Sequence, residues 1–151
     1  MKINRALISS LVAVSLTLSV AIAAQLQRPY HSGTVWDVEF VRMKAGMETV
    51  YLTYVADEWK REREIMKKDG QILSYKVLQT ENHEPTDFNL MLMTEYPDLA
   101  TMEASQNKED EVYQKVTGDE EKQRQGYRER MEVREIMGSR LAREIVLEPK
   151  R

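Results

Sequence analysis

The sequence predicts one α+β domain over residues 34–148, in which a single antiparallel sheet carries helices on one face. Segments with strand and helix periodicity follow one another in the order strand, helix, strand, strand, two helical segments, strand. Turn and capping residues such as Gly46, Gly70, Pro97 and Asp119 separate these segments. This β-α-β-β-α-α-β order is the split βαβ arrangement, in which two crossover units share one sheet.

The first half of the domain predicts a strand and a long helix. Apolar and acidic residues alternate over 34–43: Trp36, Val38 and Phe40 share one face, and Asp37 and Glu39 share the other. Residues 47–68 contain no glycine or proline, and their apolar residues return at helical spacing. This stripe consists of Leu52, Val55, Trp59 and Met66, widened at its start by Met47, Val50, Tyr51 and Tyr54. Gly70 suits the left-handed cap that ends such a helix.

The second half predicts a hairpin, two helical segments and a last strand. Residues 71–80 and 88–96 are the hairpin strands, joined by the polar loop 81–87. Asp98 opens a helical stretch that Thr117 and Gly118 interrupt, and Asp119 is the N-cap of a further helix to about residue 136. Gly138 ends that helix, residues 141–147 are the last strand, and residues 149–151 form a charged tail.

Residues 1–24 predict a cleaved signal peptide. Lys2 and Arg5 precede an uncharged stretch, and Ala21-Ile22-Ala23 supplies the small residues that signal peptidase accepts. The alternative is an uncleaved membrane anchor, since about 20 apolar residues span a bilayer. Five serine and threonine residues dilute the stretch and favour cleavage. We therefore expect an exported protein, periplasmic or secreted, that has no membrane contact after cleavage and begins with a tether, residues 25–33.

Composition limits the chemistry of the exported chain. The full chain has 22 basic and 25 acidic residues, and removal of residues 1–24 takes away two basic ones, so the net charge becomes about −5. This acidity argues against nucleic acid or an anionic membrane as a partner. The absence of cysteine excludes disulfides, thiolate catalysis and cysteine-bound metals. The charged runs 57–68 and 107–134 are typical of solvated helix faces.

The strands are apolar on both faces, which predicts a partner for the sheet. Val35, Val41 and Met43 lie opposite Trp36, Val38 and Phe40, and the third strand repeats the pattern with Met91 and Met93 opposite Phe88, Leu90 and Leu92. Each such side chain contributes on the order of 1.5–3 kcal/mol when it is withdrawn from water. Helices cover only one face, so we expect a second copy of the chain to cover the other, sheet against sheet.

The chain resembles the dimeric α/β-barrel superfamily, which has a ferredoxin-like fold and includes antibiotic-biosynthesis monooxygenase and NIPSNAP-type domains. The resemblance covers residues 34–148 and rests on the element order, the helix GMETVYLTYVADEW and the closing strand SRLAREIVL. It implies that two sheets pack into a barrel, with ligand pockets inside the barrel or between each sheet and its helices. Haem-binding relatives use a histidine on a helix. Here His31 lies in the tether and His83 in the hairpin loop, so we expect no haem, no metal and no tightly bound cofactor.

Two sets of residues are candidates for a functional site. A ligand-binding set consists of Tyr54, Trp59, Tyr75, Met91 and Met93, although such residues are more often simple core. A catalytic set consists of Trp36, Asp37, Asn89 and Arg143. Asp37 and Glu39 could form a polar patch with Asn89, Lys76 and Arg143, because paired carboxyl groups raise one another's pKa. The alternative is that these residues form cross-strand ion pairs at the dimer interface.

These observations leave three functional hypotheses. The first is an exported homodimeric domain that binds a small apolar or aromatic molecule without a tightly bound cofactor. The second is an enzyme, a cofactor-free monooxygenase or isomerase that acts on a phenolic or polyketide-like substrate. The third is a structural or stress-related secreted protein without catalytic activity. Fold alone does not decide among them.

Overall fold

The computed structural model describes residues 28–81, 84 and 87–148. The predicted signal peptide, the first part of the tether, His83 and the tail therefore lie outside the described residues. The described chain forms two compact units, one from Ser32 to Glu144 and a small one made of residues 28–31 and 145–148. In the small unit, the amide of Glu148 donates to the carbonyl of Pro29 at 2.8 Å, and His31 Nδ1 lies 3.0 Å from Glu148 Oε1.

The elements follow the predicted order. They are β1 (Tyr30–Met43), α1 (Glu48–Tyr54), a π-helical turn π1 (Val55–Trp59), α2 (Lys60–Lys68), β2 (Ser74–Gln79), β3 (Leu90–Tyr96), α3 (Leu99–Val116), α4 (Glu120–Val133) and β4 (Arg134–Leu147). The strands lie in the order β2-β3-β1-β4. This order is the one that two interleaved βαβ units produce, so the predicted split βαβ fold is confirmed.

All neighbouring strands run antiparallel. The β1–β3 register pairs Val35 with Tyr96 and Val41 with Leu90, and β2 pairs with β3 as the predicted hairpin. At one end of the β1–β4 pair, the amide of Lys44 donates to the carbonyl of Val133 at 2.9 Å. Towards its other end, Thr34 Oγ1 donates to Glu144 Oε2 at 3.3 Å, so β4 runs antiparallel to β1.

One face of the sheet, called the helix face below, packs against the helices. Its buried apolar residues form two clusters with α1, π1, α2 and α3. The strand members are Val35, Val41, Met43, Leu90, Leu92 and Tyr96, and the helical members are Tyr51, Val55, Trp59, Met66 and Val112. Side-chain alternation along each strand places these strand residues on the same side.

The opposite face, called the open face below, is also apolar. Along each strand its members alternate with residues of the helix face, and between strands they pair with one another, for example Phe40 with Met91. The members are Trp36, Val38, Phe40, Leu78, Met91 and Met93. The Phe40 and Phe88 rings lie 4.7 Å apart, and Lys76 Nζ lies 4.9 Å from the Trp36 ring. Trp36, Phe40, Met91 and Met93 are half-buried, and Leu78 is 43% exposed. The prediction of strands that are apolar on both faces is confirmed.

Several predicted boundaries were wrong. β1 begins at Tyr30, so residues 30–33 of the predicted tether belong to a strand. β4 begins at Arg134 instead of residue 141, and α4 ends at Val133 instead of about residue 136. Gly138 does not end a helix but lies inside β4 with φ +142°, a backbone conformation that favours glycine. Pairing with β1 extends β4, and this long-range contact outweighs the local helical pattern.

The predicted helix ends agree better with the structure. Asp98 accepts a hydrogen bond from the amide of Thr101 at 2.7 Å, and Asp119 accepts one from the amide of Lys122 at 3.0 Å. These side chains satisfy amide groups that a helix start leaves without partners. Gly70 has φ +70° after α2, as predicted for a left-handed cap. Among the described residues, no helix combines the length and the apolar character needed to cross a bilayer.

Candidate functional site

A cavity of about 330 Å³ lies between the helix face of the sheet and the helices. Its lining combines aromatic and charged side chains. The aromatic members are Tyr51, Tyr54, Trp59, Tyr113 and Tyr127, and the charged members are Glu39, Glu62, Arg63, Arg130 and Arg134. Leu92, Thr117 and Gln123 complete the lining. All of these residues belong to the unit from Ser32 to Glu144.

The π-helical turn positions one side of this cavity. A continuous α-helix was predicted over residues 47–68, but π1 interrupts it at Val55–Trp59. A π-helical turn accommodates more residues than an α-helical turn, so side chains four positions apart remain on one face. Tyr51, Val55, Trp59 and Arg63 are four apart and all are buried. The turn therefore brings Trp59 and Arg63 to the cavity together.

Three arginines converge on the cavity from three elements. Arg63 comes from α2, Arg130 from α4 and Arg134 from the start of β4. Arg63 and Arg134 are only 8% and 7% exposed. The buried Nε atom of each arginine has no hydrogen-bond partner. Among the ion pairs of the described residues, none includes any of the three.

Aromatic rings hold these guanidinium groups in place. Arg130 lies 4.5 Å from the centroid of the Tyr54 ring, and Arg63 lies 5.4 Å from that of Trp59. Arg134 lies 5.8 Å from the rings of both Tyr51 and Tyr127. Such cation–π contacts contribute about 0.5–2 kcal/mol each, depending on desolvation. They orient the arginines without neutralising their charge.

A further polar contact fixes Arg63, which donates from Nη1 to Met66 Sδ at 3.2 Å. Arg63 also interacts with Tyr113, and Arg134 interacts with Tyr51. Burial raises the pKa of Tyr51, Tyr54 and Tyr113, although the nearby arginines lower it in part. These tyrosines therefore stay neutral at physiological pH and keep hydroxyl protons that they can donate.

The two carboxyl groups of the cavity are less acidic than usual. Burial raises the pKa of Glu62 to about 7, while Arg63 and Arg130 act in the opposite direction. Burial also raises the pKa of Glu39, with Arg134 lowering it and Asp37 raising it further. At neutral pH three permanent positive charges thus face two carboxyl groups, one of which is partly protonated. Among the lining residues, positive charges therefore outnumber negative ones.

The structure separates the predicted ligand-binding residues. Tyr54 and Trp59 line the cavity. Tyr75 lies behind Trp59, with ring centroids 5.5 Å apart, and its hydroxyl donates to Glu64. Met91 and Met93 lie on the open face, because their β3 neighbours Leu90 and Leu92 are in the helix-face core. The five residues therefore do not form one site.

The structure also does not bring the four candidate catalytic residues together. Trp36 lies on the open face, whereas Asp37 lies on the helix face, where burial raises its pKa and Arg63 lowers it. Asn89 accepts from the amide of Met43 at 2.7 Å and donates to its carbonyl at 3.2 Å, so it extends the sheet pairing. Arg143 is exposed on β4.

Asp37 and Glu39 lie on the helix face and not on the open face, where the alternative interpretation expected ion pairs at a dimer interface. Their partners in register on β3 are Thr94 and Leu92, neither of which carries a charge. Lys76 lies on the open face beside Trp36, away from both carboxyl groups. The acidic side chains point to the helices because alternation places them beside Val35 and Val41. Their charge is balanced there by arginines from the helices and from β4.

Sequence reasoning missed the arginines and Glu62. The charged runs were interpreted as solvated helix faces, but Glu62, Arg63 and Arg134 are buried. The four-residue spacing from Tyr51 through Val55 and Trp59 to Arg63 was the available signal. Arg134 is the first residue of β4 and directly follows α4. Prediction of a strand start at this position would have been needed to find it. Across the described part of the chain, no cluster of three or more histidine, aspartate or glutamate residues could hold a metal ion.

Comparison with known proteins identifies the fold. No family model and no curated protein matches the chain. Solved structures do match it, and two of them are described as dimeric ferredoxin-like proteins from an uncultured marine organism. The first is 8% identical, with a TM-score of 0.51, covering 78% of this chain and 91% of that one. The second is 12% identical, with a TM-score of 0.50, covering 80% of this chain and 100% of that one. The chain has a ferredoxin-like fold, as predicted.

Removal of the Glu62 charge should change how stability depends on pH. The folded-state pKa of about 7 lies above the ordinary value of 4.5, so the folded protein holds the proton in this range. The contribution of Glu62 to the free energy of unfolding therefore decreases as pH rises from about 4.5 through 7. Glu62→Gln stays neutral, so its stability relative to the natural protein should increase by up to about 3 kcal/mol over this range.

Urea unfolding at fixed protein concentration, at several pH values between about 5 and 8, measures this difference. Glu103→Gln removes an exposed carboxyl group and is the matched control, whose stability should run parallel to that of the natural protein. If the stability of Glu62→Gln also ran parallel to that of the natural protein across this pH range, the raised pKa of Glu62 would be contradicted. The raised pKa values of Asp37 and Glu39 are present in the natural protein and in both variants, so their effects on stability cancel in the comparison.

Proposed function

We propose that the protein is an exported homodimeric domain that binds a small aromatic molecule in the cavity. The observation that carries this proposal is the cavity itself, about 330 Å³ in volume and lined by five aromatic rings. Small-molecule sites have volumes of about 300–1,000 Å³, so this one suits a compact ligand. The polar groups in the lining favour an aromatic ligand that also carries a polar group over a purely apolar one.

The open face supports homodimerisation. Trp36, Phe40, Met91 and Met93 form an apolar surface in the middle of the sheet, the kind of patch that usually marks an interface. Two of the similar solved structures are described as dimeric. A sheet-against-sheet dimer would withdraw this surface from water in both copies. A two-fold axis through the sheets would make the same patch serve both sides.

Export is supported by the sequence of residues 1–24. The basic start, the uncharged stretch and the small residues at 21–23 together form a signal peptide pattern. We propose that the mature protein begins near Gln25 and acts in the periplasm or outside the cell. Intact-mass analysis after expression of the full chain in a bacterial host tests this. An N-terminus near Gln25 is expected, whereas a protein that keeps Met1 to Ala24 would contradict cleavage.

The enzymatic alternative receives less support from the geometry. Trp36, Asp37, Asn89 and Arg143 lie at separate places, and Asn89 holds the backbone of Met43. None of the four lines the cavity in which we propose that the ligand binds. The purely structural alternative predicts that the cavity takes up no aromatic probe, so the binding experiment below distinguishes it.

The cavity should bind the neutral fluorescent probe N-phenyl-1-naphthylamine, whose emission rises in an apolar site. Gln123→Trp places an indole ring in the cavity lining and should weaken binding by at least about tenfold. Gln125→Trp, on the exposed side of the same helix, is the matched control and should bind as the natural protein does. Equal affinity in all three proteins would place the probe elsewhere. No binding to the natural protein would contradict a cavity that binds aromatic molecules.

The natural protein should be a dimer at micromolar concentration in native mass spectrometry. Phe40→Glu adds a charge at the centre of the open face and should shift the protein to monomers, because an unpaired buried charge is costly. Val50→Glu changes a residue of α1 that is 55% exposed and should leave the dimer intact. Circular dichroism checks that both variants fold. A monomeric natural protein would overturn the proposal without reference to any variant.

A further inference from the structure

We propose that the cavity binds the carboxylate group of an aromatic acid and that Arg63, Arg130 and Arg134 hold this anion. This inference rests on the proposed function and adds the chemical class of the ligand. It starts from the convergence of three arginines from three elements on one cavity.

Ordinary structural roles do not account for these arginines. A buried arginine that stabilises a fold is normally paired with a carboxylate, because an unpaired charge is costly to desolvate. Arg63 and Arg134 are more than nine-tenths buried, and no ion pair of the described residues includes them. Their aromatic neighbours orient them, and the carboxyl groups that act on them, Glu39, Glu62 and Asp37, lie outside ion-pair distance. An anionic ligand in the cavity could pair with them directly.

The donors that remain free match a planar anion. The buried Nε atoms of Arg63, Arg130 and Arg134 lack hydrogen-bond partners. The guanidinium group carries donors in a fork that fits both oxygens of a carboxylate. Tyr51 and Tyr113 stay neutral beside Arg134 and Arg63 and keep hydroxyl protons that can support the same anion. All three arginines and both tyrosines belong to the lining of one small cavity.

Within the lining itself, arginines outnumber carboxyl groups: Glu39 and Glu62 stand against three arginines. Asp37 and Glu109 are not part of the lining but interact with Arg63. Burial makes Glu62 a weaker acid, so a bound anion would meet little repulsion from it near neutral pH. Trp59 and the tyrosine rings would contact the aromatic part of the ligand.

Isothermal titration calorimetry with 4-hydroxybenzoate and its neutral analogue 4-hydroxybenzamide tests the inference. The two probes have the same ring and similar shape and differ in charge. The natural protein should bind the acid at least about tenfold more tightly than the amide. Arg130→Gln should weaken binding of the acid by about tenfold or more and change binding of the amide by less than about twofold.

Arg128→Gln removes an exposed charge from the same helix and is the matched control, which should leave both affinities unchanged. Arg130→Lys keeps the charge without the fork and should give an intermediate affinity for the acid. Equal affinity of the natural protein for acid and amide would overturn the anion site, and this comparison needs no variant. In that case, retained binding of the naphthylamine probe would leave the proposed function intact, whereas its loss would contradict the proposed function too.

Discussion

The antiparallel pairing of β1 with β3 is the constraint on which the other features depend. Its register places Leu90 and Leu92 opposite Val41 and Glu39, so the apolar residues of both strands meet the helices together. A slip of one residue would exchange the two faces of the sheet. The same register directs Glu39 and Asp37 to the helices. The sheet therefore supplies both the apolar core and the acidic groups around which the arginines gather.

The helices pack against this sheet through a stripe of buried residues spaced by four, Tyr51, Val55, Trp59 and Arg63. In a regular α-helix, residues spaced by four drift around the axis, so Tyr51 and Arg63 would not share a face for long. The π-helical turn corrects this drift and keeps Trp59 in line with them. Arg63 then lies against Trp59 and reaches the cavity, while Met66 closes the core one turn later. The π-helical turn thus places the Arg63 guanidinium group among the largely apolar residues between the sheet and the helices.

Patterns within short segments predicted most of the fold, because local physics decides them. Asp98 and Asp119 cap helices, and alternation in β1 and β3 gives two apolar faces. The features that the sequence did not predict depend on contacts between residues distant in sequence. Arg134 begins a strand because β1 pairs with it, although the preceding residues favour a continued helix. Its burial depends on Tyr51, a ring distant in sequence, whereas Arg63 lies against Trp59 only four residues away, a spacing that periodicity along one segment does reveal.

The two faces of the sheet differ in shape and polarity, so they suit different partners. The open face is apolar and extended, so another protein surface of similar shape can cover it without leaving polar groups unsatisfied. The cavity on the helix face is small and is lined by three arginines and two carboxyl groups, which suits the small anion that we propose and not a protein surface. Every residue that lines the cavity comes from one chain and from the unit Ser32–Glu144. The proposed ligand site and the proposed dimer interface therefore lie on opposite faces of one sheet.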